Sequence, residues 1–289
     1  MINPREAQSN SSLGLGAGLS DSQLEAYQRD GYLIVRGLFS SVEVDTIREA
    51  FMEASQDGPI EGISDTGITP RGPNDPLARY PRMMHPHLHP HVPVGKIALD
   101  YLLDPRLEVI LKGLLKDEPI AAQTMFYFKP PGARGQALHQ DNFYLRVQPG
   151  TCLAAWMAVD ACDLENGGMM VVPGSQHMDI ACPETSDPNV SFGAQLVRPP
   201  EGHGAVLAAM QPGDVLFFNG SLIHGSEPNS SQTRFRRSLI AHYVPAGTTG
   251  MSHWFKDMLR FDGSLFNTGT VTDGGPCGTD FDYDKVSLH

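Results

Sequence analysis

The sequence predicts a mainly β protein in which helices flank an antiparallel sandwich or barrel. After Pro119 the chain consists of short runs rich in β-branched and aromatic residues, and clusters of Gly, Pro, Asn and Asp separate these runs. This spacing is typical of antiparallel sandwiches and barrels rather than of strand–helix–strand units around a parallel sheet. Before Pro119, apolar residues recur mostly at helical spacing. The helices should therefore precede the β core along the chain.

Helices are predicted where a capping pattern precedes apolar residues at helical spacing. Two such patterns occur, at Ser20 with Gln23 and at Ser40 with Glu43. The first helix should span roughly 21–30, because Gly31 is a stop signal, and the second should end near Gln56. Residues 32–39 between them have the composition of a strand. Two further amphipathic segments follow, at 94–102 and 107–115.

Residues 59–93 contain eight prolines and three glycines. These breakers argue against a packed element and predict a long ordered loop that acts as a lid. Four histidines alternate with other residues at 85, 87, 89 and 91, and nitrogen ligands at this spacing could hold a second metal ion. Pro86 and Pro90 prevent a regular central strand there, so the lid is the favoured interpretation.

The β core is expected in six runs, at 121–128, 138–147, 152–159, 169–172, 215–219 and 237–244. Residues 20–289 are interpreted as a single domain, because barrels and sandwiches of this size often form one domain. Residues 1–19 are polar or rich in Gly and Ser and should form a flexible tail.

Composition excludes several classes of partner. The chain carries 21 Lys and Arg against 33 Asp and Glu, a net charge of −12, which argues against nucleic acid and against anionic membranes. Its longest apolar run, 152–159, is far shorter than the roughly 18 residues of a spanning helix. The four cysteines, at 152, 162, 182 and 277, form no Cys-x-x-Cys pair. They indicate core packing in a reducing, cytoplasmic environment.

Two His-x-Asp tripeptides stand out, His139-Gln140-Asp141 and His177-Met178-Asp179. Side chains two apart on a strand share one face, so such a pair can share a metal ion. Chance alone predicts roughly one such tripeptide, which makes the context decisive. The first pair lies in a run with strand composition, whereas the second follows a turn signal. We therefore expect the first pair to bind the metal.

A third ligand must come from a distant strand. His224 ends a β-rich run and is followed by Gly225, which allows backbone to approach a site closely. A buried, hydrogen-bonded core histidine is the alternative interpretation. Two histidines and one carboxylate form the facial triad of non-haem Fe(II) oxygenases, which leaves metal positions open for a chelating cosubstrate and for oxygen.

Three arginines follow closely, at 234, 236 and 237. An arginine fork pairs bidentately with a carboxylate, which suits the distal carboxylate of a dicarboxylic oxo acid. On a strand, Arg236 would share a face with Ser238, Ile240 and His242, and Arg237 would lie on the other. Position alone does not choose among the three arginines.

Taken in order, several motifs make the chain resemble the phytanoyl-CoA dioxygenase family of Fe(II)/2-oxoglutarate oxygenases. They are Lys129-Pro130-Pro131-Gly132, Leu138-His139-Gln140-Asp141, Ala155-Trp156-Met157-Ala158, Asn166-Gly167-Gly168, Val172-Pro173-Gly174-Ser175, Pro212-Gly213-Asp214, His224-Gly225-Ser226 and Phe235-Arg236. The resemblance implies a cupin-like double-stranded β-helix, or jelly roll. It also implies that His139, Asp141 and His224 hold Fe(II), and that Arg236, which follows Phe235, anchors 2-oxoglutarate. Ser226, Thr124 and Trp156 would line the cosubstrate pocket.

The resemblance further implies an enzyme that uses O2 to hydroxylate an unactivated C–H bond of a small molecule, releasing succinate and CO2. Lys129, Gln136, Asn142 and Tyr144 flank the predicted metal pair and are the candidate substrate contacts. The protein is expected to be a monomer or a homodimer. Two alternatives stay open: a non-catalytic jelly-roll protein that binds or senses a metabolite, and a metal-dependent isomerase or dioxygenase that needs no oxo acid.

Overall fold

The computed structural model describes residues 18–67, 72, 74–255 and 257–271. Its α-helices are α1 Asp21–Asp30, α2 Ser41–Ala54, α3 Pro76–Arg79, α4 Pro93–Leu102, α5 Pro105–Leu115 and α6 Asn142–Leu145. Its strands are β1 Tyr32–Val35, β2 Met83–Met84, β3 Pro119–Tyr127, β4 Gln136–His139, β5 Leu153–Ala158, β6 Met169–Val171, β7 Glu184–Thr185, β8 Gln195–Leu196, β9 Val206–Leu207, β10 Val215–Asn219, β11 His224–Ser226, β12 Ser238–Pro245, β13 Gly250–Met251, β14 Met258–Leu259, β15 Leu265–Phe266 and β16 Gly269–Thr270. Short 3-10 turns lie at Pro86–Leu88 and Ser175–His177.

Both predicted capping boxes are present. The Ser20 and Ser40 side chains accept hydrogen bonds from the backbone N–H three residues on, and α1 ends at Gly31 with a left-handed φ of 80°. The strand between these helices is shorter than predicted. It stops at Val35 because the chain then turns through Gly37, at φ 58°, whose N–H donates to the Asp214 carboxylate instead of to a sheet partner.

The strands form two main sheets, which confirms the predicted jelly-roll class. The larger has the order β1-β10-β5-β12-β3-β14-β15, with β2 also paired to β3, and the smaller has the order β4-β11-β6-β9. All pairs in these two sheets are antiparallel. One layer of apolar side chains packs between the sheets, and a second lies between the larger sheet and the helices.

Alternation along the central strands assigns side chains to these two layers. On β5, Ala155 and Met157 join the helical layer, whereas Trp156 joins the layer between the sheets. On β12, Leu239 likewise packs towards the helices and Ile240 towards the smaller sheet. The prediction that Leu239 and Ile240 lie on opposite faces of this strand is therefore confirmed.

A β-bulge interrupts this alternation on β3. The register with β12 shifts between His242, opposite Gln123, and Tyr243, opposite Ala121. The extra residue, Ala122, has no partner in the register. Ala121 and Gln123, which would share one face of a regular strand, therefore point to different faces of the sheet. Beyond the bulge, Met125 joins the layer between the sheets, and Phe126 joins the helical layer.

Residues 59–93 differ from the predicted loop, because short packed elements occupy part of the segment. Among the described residues, α3, β2 and a 3-10 turn form here, and β2 extends the larger sheet by pairing with β3. Arg82 and His87 are buried. The prolines begin α3, the 3-10 turn and α4, where a missing N–H costs nothing. The described part of the segment packs as a wall of the fold, and its role as a lid stays a prediction.

Other regional predictions have mixed outcomes. The predicted tail, 1–19, lies almost wholly outside the described residues. No helix in the described ranges has the length and hydropathy to cross a membrane. Cys152 and Cys162 are free and buried, as core packing requires. Cys182 is exposed and disulfide-bonded, so the core-packing prediction was wrong for this residue, because its side chain is not buried.

The turn before β10 provides a test of the fold. Gly213 has φ 89°, and a Cβ added there would lie 2.1 Å from the carbonyl oxygen of Phe39. Gly37 has a similar left-handed φ but open space around an added Cβ. Gly213→Ala should lower the free energy of unfolding by about 3 kcal/mol, from backbone strain and overpacking together. Gly37→Ala should lower it by about 1 kcal/mol, from strain alone. Urea denaturation measures both, and equal losses would contradict the packing of Phe39 on this turn.

Candidate metal centre and cleft

Two histidines meet across the smaller sheet. His139 is the last residue of β4, His224 is the first of β11, and the two are direct partners in the antiparallel register. Their rings lie 4.2 Å apart, centroid to centroid, and both residues are buried. Pairing of two distant strands therefore brings together the histidines that the sequence suggested.

Asp141 joins them by a different route from the one predicted. It does not lie on a strand with His139, because β4 ends at His139 and Asp141 has the right-handed helical φ and ψ of −60° and −37°. Its carbonyl accepts the N–H groups of Tyr144 and Leu145, and the N–H of Asn142 donates to Gly220. A tight turn into α6, rather than strand alternation, directs the carboxylate back towards the histidines.

The three side chains converge on one point. The ligand atoms of His139, Asp141 and His224 lie within 4.8 Å of one another, and Asp141 Oδ1 is 3.5 Å from Nε2 of each histidine. Ligands about 2.1 Å from a metal ion on one octahedral face would be about 3 Å apart, so small shifts complete the triad. Of the described residues, no other His, Cys, Asp and Glu gather in this way. The His85–His91 cluster therefore forms no second metal site there.

Backbone carbonyls set the tautomers of both histidines. Nδ1 of His139 is 2.8 Å from the Ala137 oxygen, and Nδ1 of His224 is 2.9 Å from the Leu222 oxygen. A carbonyl only accepts, so each Nδ1 carries the proton and each Nε2 presents a lone pair. Nε2 of His139 accordingly lies 3.2 Å from the Gln136 amide nitrogen, a donor. The pair offers neutral nitrogen ligands on the side where Asp141 offers an anionic oxygen.

The electrostatics keep Asp141 ionised. Burial opposes the charged form, yet the neighbouring His224 and His242 hold the pKa of Asp141 well below its ordinary value. Burial, and then the nearby His224, lower the pKa of His139. A neutral imidazole beside an ionised carboxylate is the protonation state that metal ligation needs.

The triad lines a cleft between the two sheets. Its wall is largely aromatic and apolar, with a smaller number of polar side chains around the triad. The apolar and aromatic members are Leu77, Tyr80, Met125, Tyr127, Phe128, Trp156, Met169, Phe192, Phe218 and Ile240. Arg82, Lys129, Arg134, Gln136, Ser226, Arg236 and His242 supply the polar part.

Two cations are buried side by side in the cleft. Lys129 donates to the carbonyls of Gly167 and Glu227 and to Ser226 Oγ, and Arg236 donates to Gly167 and, more weakly, to Ser226 and Ser238. In the described part of the chain neither has a carboxylate partner. Burial, and then the Arg236 charge, lower the pKa of Lys129 far below its ordinary value. Lys129 is also held at φ 37°, a costly conformation for a lysine. The pair forms a preformed anion pocket.

The structure distinguishes the three arginines that sequence position could not. Arg234 lies at the surface and pairs with Asp163 and Glu165. Arg237 points to the opposite side from Arg236 and pairs with Asp160, at 2.7 Å. Only Arg236 enters the cleft, where its guanidinium lies 5.3 Å from the centre of the Trp156 ring.

Other predicted residues divide into two groups. Ser226, Trp156, Lys129 and Gln136 line the cleft with the triad. Thr124, Asn142 and Tyr144 are not among the lining residues. Thr124 bonds His87, and Asn142 caps its own turn through Val147 and Gly150. Tyr144 turns its hydroxyl to Gln195. His177 and Asp179 are exposed and do not line the cleft, and His177 contacts the Gln28 carbonyl instead.

Sequence reasoning missed the groups that surround the triad from other elements. His242, on β12, has its Nε2 3.0 Å from Asp141 Oδ2, and Gln123, on β3, contacts His242. Arg82 lines the cleft while bonding Asp65 and Tyr127. One signal was available, since His242 shares the strand face predicted for Arg236. Gln123 had none, because the bulge decides which way it points.

Comparisons with known proteins agree with this architecture. The mouse phytanoyl-CoA dioxygenase domain-containing protein 1 is 25% identical over 276 residues, which covers 81% of this chain and 92% of the mouse protein. Ectoine dioxygenase of Sphingopyxis alaskensis is 28% identical over 232 residues, covering 74% of this chain and 72% of that enzyme.

Solved structures show the same fold. The alpha ketoglutarate dependent carbocyclase SnoK from nogalamycin biosynthesis superimposes with a TM-score of 0.62 at 22% identity, covering 80% of this chain and 86% of that one. EctD from S. alaskensis, with bound Fe, gives 0.61 at 22% identity, covering 94% and 88%. The model of the phytanoyl-CoA dioxygenase family matches residues 27–238, most of the described chain. The protein therefore belongs to the phytanoyl-CoA dioxygenase family.

Proposed function

We propose that this protein is an Fe(II)/2-oxoglutarate-dependent dioxygenase that hydroxylates an unactivated C–H bond of a small molecule, releasing succinate and CO2. One observation carries the proposal: the same cleft holds a His-Asp-His triad and two buried cations, Lys129 and Arg236, that have no carboxylate partner among the described residues. A metal-binding protein that needs no oxo acid has no use for the second feature, because burying unpaired cations costs free energy.

The donor set fits iron. Two neutral imidazole nitrogens and one carboxylate oxygen on a common face are the ligands of non-haem Fe(II) oxygenases, and His139, Asp141 and His224 would supply them. Bound iron would supply the oxidising chemistry that activates O2 with the cosubstrate. The protein's part is to hold three ligands on one side and to leave the cleft side open.

The anion pocket fits the distal carboxylate of 2-oxoglutarate. Arg236 keeps N–H groups free beyond its bonds to Gly167, Ser226 and Ser238 and would donate charge-assisted hydrogen bonds to it. Lys129 already donates to Gly167, Glu227 and Ser226, and would fix Ser226 at the edge of the pocket. Ser226 Oγ already accepts from both cations, so its own hydroxyl proton is available to donate to a third group. Trp156 packs against the guanidinium and fixes its position. The cosubstrate would then span from this pocket to the triad.

The similar structures support 2-oxoglutarate as the cosubstrate, but they catalyse more than one type of reaction. EctD was crystallised with 2-oxoglutarate and 5-hydroxyectoine, and the epimerase SnoN with Fe3+ and alpha ketoglutarate. SnoK is a carbocyclase. Outcomes other than hydroxylation therefore occur on this fold. Hydroxylation is proposed here because the chain belongs to a family that is named for dioxygenases.

The outer cleft points to an apolar substrate surface. Arg134 pairs with Asp75 and Arg82 with Asp65, so the basic residues near the site are neutralised by neighbouring carboxylates. Tyr80, Tyr127 and Phe192 form the remaining wall. We propose that an apolar or aromatic part of the substrate packs on these rings, with Gln136 as a polar contact nearer the triad. A single domain, a monomeric or homodimeric state and a cytoplasmic location stay predictions.

Succinate release measured with Fe(II), O2 and 2-oxoglutarate, against a library of small molecules, tests the proposal. Substrate-stimulated succinate with a product 16 Da heavier supports a hydroxylase. A protein that binds metabolites but releases no succinate is the sensor of the alternative interpretation. Turnover that needs metal but ignores 2-oxoglutarate indicates the isomerase or the dioxygenase without an oxo acid.

Removal of the anionic ligand should abolish turnover. Asp141→Ala should lose metal-dependent succinate release entirely, because two neutral histidines hold divalent iron poorly, while thermal unfolding shows a folded protein. His177→Ala is the matched control from the other His-x-Asp pair, and its exposed side chain predicts unchanged release. Loss of metal in His177→Ala with retention in Asp141→Ala would reverse the assignment.

The arginine assignment has its own test. Truncation of one partner in a buried, hydrogen-bonded charge pair costs roughly 2 to 5 kcal/mol, so Arg236→Ala should raise the apparent KM for 2-oxoglutarate at least about tenfold. Arg234→Ala removes a surface pair with Asp163 and should leave this KM unchanged. Steady-state kinetics measure both, and the opposite pattern would place the anchor elsewhere.

The aromatic wall should govern coupling to the substrate. Tyr80→Ala removes a ring from the cleft, so 2-oxoglutarate consumption should continue while the hydroxylated product per succinate falls. Leu88→Ala, an exposed position in the same segment, is the control. The ratio of product to succinate, measured by mass spectrometry, decides. An unchanged ratio in Tyr80→Ala would exclude this ring from substrate binding.

A further inference from the structure

A continuous chain of buried hydrogen bonds leaves the back of the triad. Asp141 Oδ1 faces the two ligand histidines, whereas Oδ2 lies 3.0 Å from His242 Nε2. His242 Nδ1 is 3.1 Å from Gln123 Nε2, and Gln123 Oε1 is 2.8 Å from His85 Nε2. His242 and Gln123 are each about 2% exposed. The chain links β12, β3 and the segment after β2.

The direction of every hydrogen bond follows from the carboxylate. An ionised carboxylate only accepts, so His242 Nε2 must carry a proton. A neutral His242 then has a lone pair on Nδ1, which requires the amino group of Gln123 to face it. The amide oxygen of Gln123 consequently faces His85 and accepts from its Nε2–H. Each group has one consistent role, and no donor meets a donor.

The backbone holds the far end of this chain in a costly conformation. His85 has φ 50°, in the left-handed region, and its N–H donates to the Thr124 carbonyl of β3 at 2.9 Å. The ring is thereby placed opposite Gln123. Gln123 itself pairs with His242 in the sheet register next to the bulge. Two irregular backbone features, a bulge and a left-handed residue, thus serve the same line of hydrogen bonds.

We propose that His242, Gln123 and His85 form a positioning relay that holds Asp141 as a monodentate metal ligand. With Oδ2 engaged by His242, only Oδ1 can point at the metal, and the carboxylate cannot rotate to chelate it with both oxygens. Bidentate binding would fill a coordination position that the cosubstrate or oxygen needs. The proposal rests on the proposed function, because it assigns the relay to the same triad.

Metal affinity is the readout, because a residue that only stabilises the fold would not change it. Outer partners of metal ligands typically contribute about 10- to 100-fold in affinity. His242→Phe keeps an aromatic ring and removes the donor, so its affinity for Co(II), titrated anaerobically by visible absorption, should fall by about 10- to 100-fold. Gln123→Leu keeps His242 but frees its tautomer, and should weaken Co(II) binding about tenfold.

The matched control is His87→Phe. His87 is a buried histidine in the same segment whose Nδ1 bonds Thr124, and its only described link to the relay is an edge contact with the His85 ring, which phenylalanine can keep. It should retain wild-type Co(II) affinity while showing a comparable change in thermal unfolding. Gln123→Leu added to His242→Phe should cause no further loss of affinity, because the two groups act through one hydrogen bond to Asp141.

The outcomes separate this proposal from the proposed function. Wild-type protein that binds no Co(II) would contradict the metal site itself. Wild-type binding with unchanged affinity in both His242→Phe and Gln123→Leu would contradict the relay and leave the metal site standing. Equal losses in His242→Phe and His87→Phe would also overturn the relay, since they would show a general effect of replacing buried histidines. If His242→Phe fails to fold, Gln123→Leu against His87→Phe decides the question.

Discussion

A buried carboxylate is the constraint around which the site is organised. Asp141 is about 4% exposed, and an isolated ionised carboxylate at such a position would be too costly to keep charged. Burial raises the pKa of Asp141, but the nearby His224 and His242 hold it well below its ordinary value, and His242 Nε2 lies 3.0 Å from Oδ2. The same arrangement that keeps the group ionised also makes it a ligand. The surrounding histidines therefore keep the buried carboxylate ionised, and two of them, His139 and His224, complete a metal-binding geometry with it.

The two sheets contribute different parts of this arrangement. The smaller sheet supplies His139, His224 and Ser226 through the pairing of β4 and β11. The larger sheet, with the residues just before β12, supplies Arg236 and His242 from the face that points into the cleft. Neither sheet alone brings a metal ligand near the anion pocket. The cleft exists only because the sheets pack against each other with their inner faces aligned.

The helices and the segment 59–93 act on the site indirectly. The helical layer covers the outer face of the larger sheet, which leaves the inner face free for polar groups. The segment wraps to the cleft edge, where Leu77, Tyr80 and Arg82 join the wall. A scaffold of rigid strands with a variable wall is consistent with the range of reactions that relatives of this fold perform, because the wall can change without moving the triad.

Much of the architecture and the central residues was determined by the sequence itself. Capping residues, strand composition and turn signals act locally, so both capped helices and most of the six predicted strand runs followed from them. The run at 138–147 did not, because α6 follows β4 there. The family motifs likewise indicated His139, His224 and Arg236. Tertiary structure decided the rest. It placed Asp141 on a turn instead of a strand, directed Thr124 to the helical side, and packed the described part of the proline-rich segment as a wall. It also joined His242 to Gln123 and His85, residues far apart in the chain. These features depend on a bulge, on long-range strand pairing and on which groups share a burial site, and a local pattern cannot encode which distant residue lies opposite.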